Sequence, residues 1–277
     1  MAELKCQLIE IRKKDYNFTG YDLNNLIFEM LKNIGATDSE LRNELIYITF
    51  GHMIVTNNVL NQDQLKQLLN ICIDDQHLFY RLGESETDSV FVRSFSVLIL
   101  PLILNVDQRD SFLSESEIKY VQKRLFTYVR NEEDIRGYVE GKGWAHALAH
   151  AADALGEIAK HRYIKEDDLM ELLEVISAQV LFSKSVYTYN EDERMALSAF
   201  NTIDRGLLSD QQILNWINNF KIQLDTQKKL VADLNGLYLK LNVRNFLYNL
   251  YFRLRYKNES ISLQKEIEKM LDSIRDF

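Results

Sequence analysis

The chain is poor in the residues that break helices: one proline, Pro101, and ten glycines in 277 residues. All-β chains need many turn residues, and α/β chains usually need more glycine than this. Cysteine is also scarce. Cys6 and Cys72 have no metal-type spacing, which leaves two free thiols as the default and a disulfide unsupported. There is no Gly-rich phosphate loop and no Gly-x-Ser-x-Gly elbow, and neither cysteine has a histidine partner at a recognisable spacing. Nucleotide-binding and acyl-transfer chemistries therefore lack positive support. A positive charge excess is absent too. The net charge of −8 argues against nucleic acid as a partner.

Long apolar runs are missing as well. The longest, Phe95 to Val106, is too short to span a bilayer and follows Arg93, so it reads as a buried helix bent near Pro101. Residues 1 to 15 alternate charged and apolar types, unlike a secretory signal. The expectation is a cytoplasmic protein, with a membrane disfavoured as partner.

What is abundant is helix former. With 46% hydrophobic and 27% charged residues, the chain can bury a sizeable core. A 3.6-residue apolar period recurs almost throughout. It predicts helices over Ala2–Lys14, Tyr21–Ile34, Glu40–Thr56, Gln62–Asp74, Ser89–Asn105, Glu115–Arg130, Gly143–Lys160, Lys165–Phe182, Glu191–Arg205, Asp210–Phe220, Thr226–Lys240, Val243–Tyr256 and Ser262–Asp276. Thr37 with Glu40, Ser114 with Glu117 and Ser209 with Gln212 have capping-box spacing. No Pro/Gly/Ser linker interrupts the series, so residues 1–277 read as a single helical repeat domain.

Arg42, Arg93, Arg194 and Arg244 sit in similar local settings, and His146 falls in the same series at intervals near roughly 50 residues, the length of one helix pair in a HEAT or armadillo array. The expected fold is all-α: a right-handed superhelix of antiparallel helix pairs, with these side chains forming a ladder along one side.

The segment from Gly141 to Asp153 stands out. On a helix, His146, His150 and Asp153 fall within roughly 60° of one another, with Trp144, Leu148, Ala151 and Leu155 opposite. Two histidines at i and i+4 with an acid one turn on can grip a divalent metal and leave a position for water. Glu133, Asp134 or Glu193 would then serve as base. The other reading is a buried polar ladder, in which the imidazoles hydrogen-bond Asp153, loop carbonyls or neighbouring helices. Trp144, on the apolar stripe, reads as core, and Trp144→Ala should cost about 3–5 kcal/mol.

Asp88, Arg93, Asp134, Arg136 and Arg194 can be read in two ways. They form a charged pocket for a carboxylate or phosphate, or they bridge neighbouring repeats as ion pairs. The run from Lys240 to Lys257 contains no acid. It reads either as a terminal repeat with inward aromatics or as a basic amphipathic helix for a membrane or an acidic partner.

The segments Asp88–Ser96, Asp134–Tyr138, Lys142–Asp153 and Glu191–Arg194 resemble a bacterial family of uncharacterised function, found mainly in low-GC Gram-positive bacteria. The resemblance implies an all-helical superhelical fold and no activity. The functional expectation is a binding or scaffold protein without a cofactor. Its groove, lined by the His146/His150/Asp153 face and the arginine ladder, would hold a peptide, a protein segment or a small anionic ligand. The alternative is a metal-assisted hydrolase using the same face.

Overall fold

The computed structural model describes residues 1–228, 234–257 and 260–275, and among these the protein is all-α apart from one two-stranded hairpin. The described chain forms two compact units, residues 1–154 and 155–277.

The first unit contains α1 (Ala2–Lys13), α2 (Leu23–Lys32), α4 (Gln62–Cys72), α5 (Ser89–Asp110) and α6 (Glu115–Asn131). Between α2 and α4 the expected helix Glu40–Thr56 forms, but in three pieces: π1 (Glu40–Tyr47), a short α3 (Ile48–Gly51) and π2 (His52–Thr56). Asp38 caps this stretch by accepting the Leu41 N–H at 3.1 Å, a role the sequence pattern had given to Thr37. The Ser114–Glu117 box at the start of α6 is present with both of its hydrogen bonds.

α5 is the core helix. It continues through Pro101 to Asp110, five residues past its expected end, and stops where Ser111 turns left-handed (φ 53°). At this length it is apolar enough to cross a membrane, yet 78% of its apolar window is buried inside the protein. The shorter run read from the sequence understated it. Gly35 lets the preceding turn lie against α5, because a Cβ there would come within 2.9 Å of the Val92 amide nitrogen.

The hairpin pairs β1 (Tyr138–Val139) with β2 (Gly143–Trp144) in antiparallel register, Tyr138 opposite Trp144. It leads into α7 (Ala147–Ala159).

The second unit holds α8 (Glu166–Val180), α9 (Glu191–Asp204), α10 (Asp210–Lys228), α11 (Leu234–Tyr256) and α12 (Ile261–Arg275). α9 and α12 both pack on α11, and α10 packs on α12. The expected break near Asn242 is absent. Asn242 sits buried inside α11, where its amide donates to the Phe182 and Ser185 carbonyls (2.8 and 2.9 Å) and its Oδ1 accepts the Tyr187 N–H at 3.0 Å. Part of the expected helix Thr226–Lys240 and the last residue of the expected Ser262–Asp276 lie outside the described residues. Cys6 is exposed and Cys72 buried, and both are free thiols.

Candidate functional site

The histidine segment departs from its expected form. Gly141 and Gly143 have φ of 72° and 78°, and His146 has φ of 50°, none of which an α-helix admits. At Gly143 the freedom is obligatory: a Cβ would stand 2.7 Å from the Cβ of Ser39. The backbone therefore pairs as a ribbon, which continues past the hairpin as the Ala145 N–H donates to the Gly137 carbonyl (2.8 Å) and the His146 N–H to that of Arg136 (3.1 Å). α7 starts only after His146, whose carbonyl accepts the His150 N–H at 2.9 Å.

The expected helix, with His146, His150 and Asp153 on one face and Trp144 on the opposite stripe, is thus broken. Trp144 and His146 belong to the ribbon and its exit, while His150 and Asp153 belong to α7. The expected arginine ladder breaks at the same place, because its middle member lies on no helix.

Trp144 is not a core residue. It is 38% exposed, and its ring stacks on His146 at 4.3 Å between centroids and 18° between planes. On its other flank Tyr138, also exposed, meets it edge-on at 5.1 Å. Inward from His146 the row continues to His150 (5.7 Å, 80°) and then to Phe95 (5.3 Å, 84°). His150 Nδ1 lies 3.1 Å from the Ser94 carbonyl oxygen. A carbonyl only accepts, so Nδ1 carries the proton in this contact. Five rings thus run as one file from the surface of the hairpin to the core face of α5.

Two buried arginines lie in the same unit, and the first supports this file. Arg42, on π1, is fully buried. Its guanidinium donates to the carbonyls of Lys142 (2.6 Å), Trp144 (3.1 Å) and Ala36. It also lies over the Phe91 ring at 4.1 Å and the Phe95 ring at 4.9 Å. Burial depresses its pKa to about 10, partly offset by the charges of Asp38 and Asp88, so it remains a cation at neutral pH. Arg42 therefore ties both ends of β2 to π1, with no direct carboxylate partner among the described residues.

Arg93, on α5, is equally buried but paired. Nε and Nη2 grip the Glu132 carboxylate at 2.7 and 2.8 Å. Its remaining N–H groups donate to Ser89 and to the carbonyls of Tyr80, Arg81 and Glu84. Burial opposes its charge, and the Glu132 contact outweighs that and raises its pKa.

The other charged candidates extend this frame. Asp134 is buried, accepts the Glu86 N–H at 2.9 Å and is held by the Arg136 guanidinium at 2.6 Å. That contact is the main cause raising the Arg136 pKa. Arg136 also donates to the Thr87 carbonyl at 2.6 Å. Asp88 grips Lys142 through both oxygens at 2.6 and 2.8 Å. These groups stitch the loop before α5 to the hairpin.

Asp153 is half-buried on α7. Among the described residues no three His, Cys, Asp or Glu side chains converge to hold a metal ion, so His146, His150 and Asp153 do not form the expected metal site. Glu193 and Arg194 lie in the second unit, in the first turn of α9, where Glu193 accepts from Arg253 at 3.1 Å. Sequence reasoning left Tyr138 and Glu132 out of the site and counted Arg42 only as a rung of the arginine ladder. Gly141 and Gly143, on either side of Lys142, were the available signal for a hairpin rather than a helix start.

No curated protein and no solved structure matches the chain. A family model described as a protein of unknown function (DUF2785) matches residues 78–252. That span includes α5, the hairpin, α7 and most of α11, and since it covers more than half of the sequence, the chain belongs to the DUF2785 family.

Proposed function

We propose that the protein is a non-catalytic binding module built on a HEAT- or armadillo-like stack of helix pairs. Its recognition surface is the Tyr138–Trp144–His146 end of the ring file, and it takes an apolar or aromatic side chain of a protein or peptide segment. The observation that carries this reading is Trp144: a large aromatic side chain left substantially exposed while its main chain is clamped by a buried arginine and its ring is stacked on His146. Rigid, half-exposed tryptophan and tyrosine side chains supply much contact area at little entropic cost, and they dominate binding energies at interfaces. The charged groups around the hairpin already partner one another, which favours an apolar contact over an anion as the ligand. The packing of α9 on α11 across the intervening α10 supports the stacked-pair reading.

A photo-crosslinking amino acid at position 138 tests this. In extract from the native host it should label a discrete partner, and Trp144→Ser should remove the label while the protein stays folded. Trp216 is buried, so in a Trp216→Phe background the emission of Trp144 alone should respond to the captured segment. Equal labelling with and without Trp144 would defeat the proposal.

A further inference from the structure

The second unit holds a surface that the hairpin does not explain. α11 contains Lys240, Arg244, Arg253 and Arg255 and no acid, in a chain whose net charge is −8. Its sides can be assigned from their contacts. Leu239, Val243, Phe246, Leu247, Leu250 and Leu254 are buried. Toward α9, Asn249 donates to Asp192 at 3.2 Å and Arg253 to Glu193 at 3.1 Å. Toward α12, the Tyr251 hydroxyl donates to Glu268 at 2.6 Å.

What remains faces outward. Tyr248, Phe252 and Tyr256 recur every four residues, so they fall within about 80° of one another on the helix. All three are exposed, Phe252 at 46% and Tyr256 at 82%, and the Phe252 and Tyr256 rings stack at 6.2 Å. Leu234 and Leu237 extend the same face toward the start of the helix. Arg255 stands among these rings, exposed, its guanidinium donating to the Tyr251 hydroxyl at 3.1 Å. Apolar residues in line along a surface helix, beside cations and without acids, make a face that an acidic amphipathic helix complements in both respects.

We infer that the outer face of α11 docks an acidic amphipathic segment of a partner protein, with Tyr248, Phe252 and Tyr256 taking its apolar anchors and Arg255 its carboxylates. Charge decides among the occupants. Two copies meeting through this face would set like charges against each other. An anionic membrane is a plane, and it would also meet Glu193, Asp204 and Glu268 on the flanking helices, whereas a single segment lying along α11 meets mainly the stripe.

The test is a selection of random 16-residue displayed peptides on the full chain. Selected peptides should carry Leu, Phe or Met at helical spacing among Asp and Glu. They should bind Tyr248→Ser/Phe252→Ser and Arg255→Glu at least fivefold more weakly, and their affinity should fall with added salt. Binding to Trp144→Ser should be unchanged, which separates this surface from the hairpin. The inference is overturned by a selection that yields no binders, by binders without an acidic excess, or by binders that retain full affinity for the α11 variants. It is equally overturned if phosphatidylserine vesicles but not neutral ones sediment the protein through Phe252, or if the chain forms a dimer that Tyr248→Ser/Phe252→Ser dissolves.

Discussion

Arg93 and Arg42 occupy the same unit and are both fully buried, but they are held by opposite electrostatic means. Arg93 faces a carboxylate through two parallel hydrogen bonds, so its charge is cancelled locally. Arg42 faces only carbonyl dipoles and the negative faces of two phenylalanine rings. Desolvation is accordingly the dominant influence on Arg42 and depresses its pKa, while Glu132 reverses that sign at Arg93. A paired buried charge is costly to break from one side. A charge held by main-chain oxygens leaves only neutral dipoles behind when it is removed, with local rather than global consequences.

The largest effect should follow from removing one half of the paired charge. Arg93→Met leaves Glu132 buried and uncompensated, and should cost about 3–5 kcal/mol in denaturant unfolding. The double change Arg93→Met/Glu132→Leu should recover most of that loss, since no orphan charge remains. A single variant as stable as the parent would erase the distinction between the two arginines.

Arg42→Met should cost less, about 1–3 kcal/mol, because it leaves neutral carbonyls rather than a charged group without their partner. Its signature is local. Hydrogen exchange at the Ala145 and His146 amides should accelerate while the α5 amides stay protected. Uniform acceleration would mean that Arg42 supports the whole unit and not just the hairpin.

The smallest effect belongs to Trp144. Trp144→Ala should lose only about 0.5–1.5 kcal/mol, the worth of its ring contacts, as read in thermal melts. Trp216 is 5% exposed, donates to the Leu173 carbonyl and the Ser177 hydroxyl, and serves as the buried comparison. Its replacement by alanine should cost about 3–5 kcal/mol. Equal losses for the two tryptophans would return Trp144 to the core.

The helices were legible in the sequence because each buries a face whose period is local. Glu115–Asn131 and Glu166–Val180 come within two residues of their expected bounds. What could not be read locally is long-range. Arg42 meets the Lys142 carbonyl across one hundred residues of sequence, and no spacing announces that contact. Asn242 looks polar enough to end a helix, yet it stays inside one because a distant loop supplies its partners. The histidine spacing was read correctly as a number and wrongly as a shape. A separation of four residues places two side chains on one face only if both lie in a helix, and the left-handed His146 lies outside it. Asp88, Arg93, Asp134 and Arg136 are all engaged in ion pairs, with Lys142, Glu132 and one another.

The close approach of Gly143 to Ser39 has a consequence for where this protein can be cut. The span recognised as the family begins at residue 78, so Ser39 and Arg42 fall outside it, although Ser39 packs on the hairpin and Arg42 bonds it. A fragment trimmed to the matched span would keep the tryptophan, the histidines and α5, but it would bare the Phe91 and Phe95 rings that Arg42 covers. The family's boundary in sequence is therefore not the boundary of the folded object, and π1 belongs to the hairpin's support as much as the residues inside the matched span.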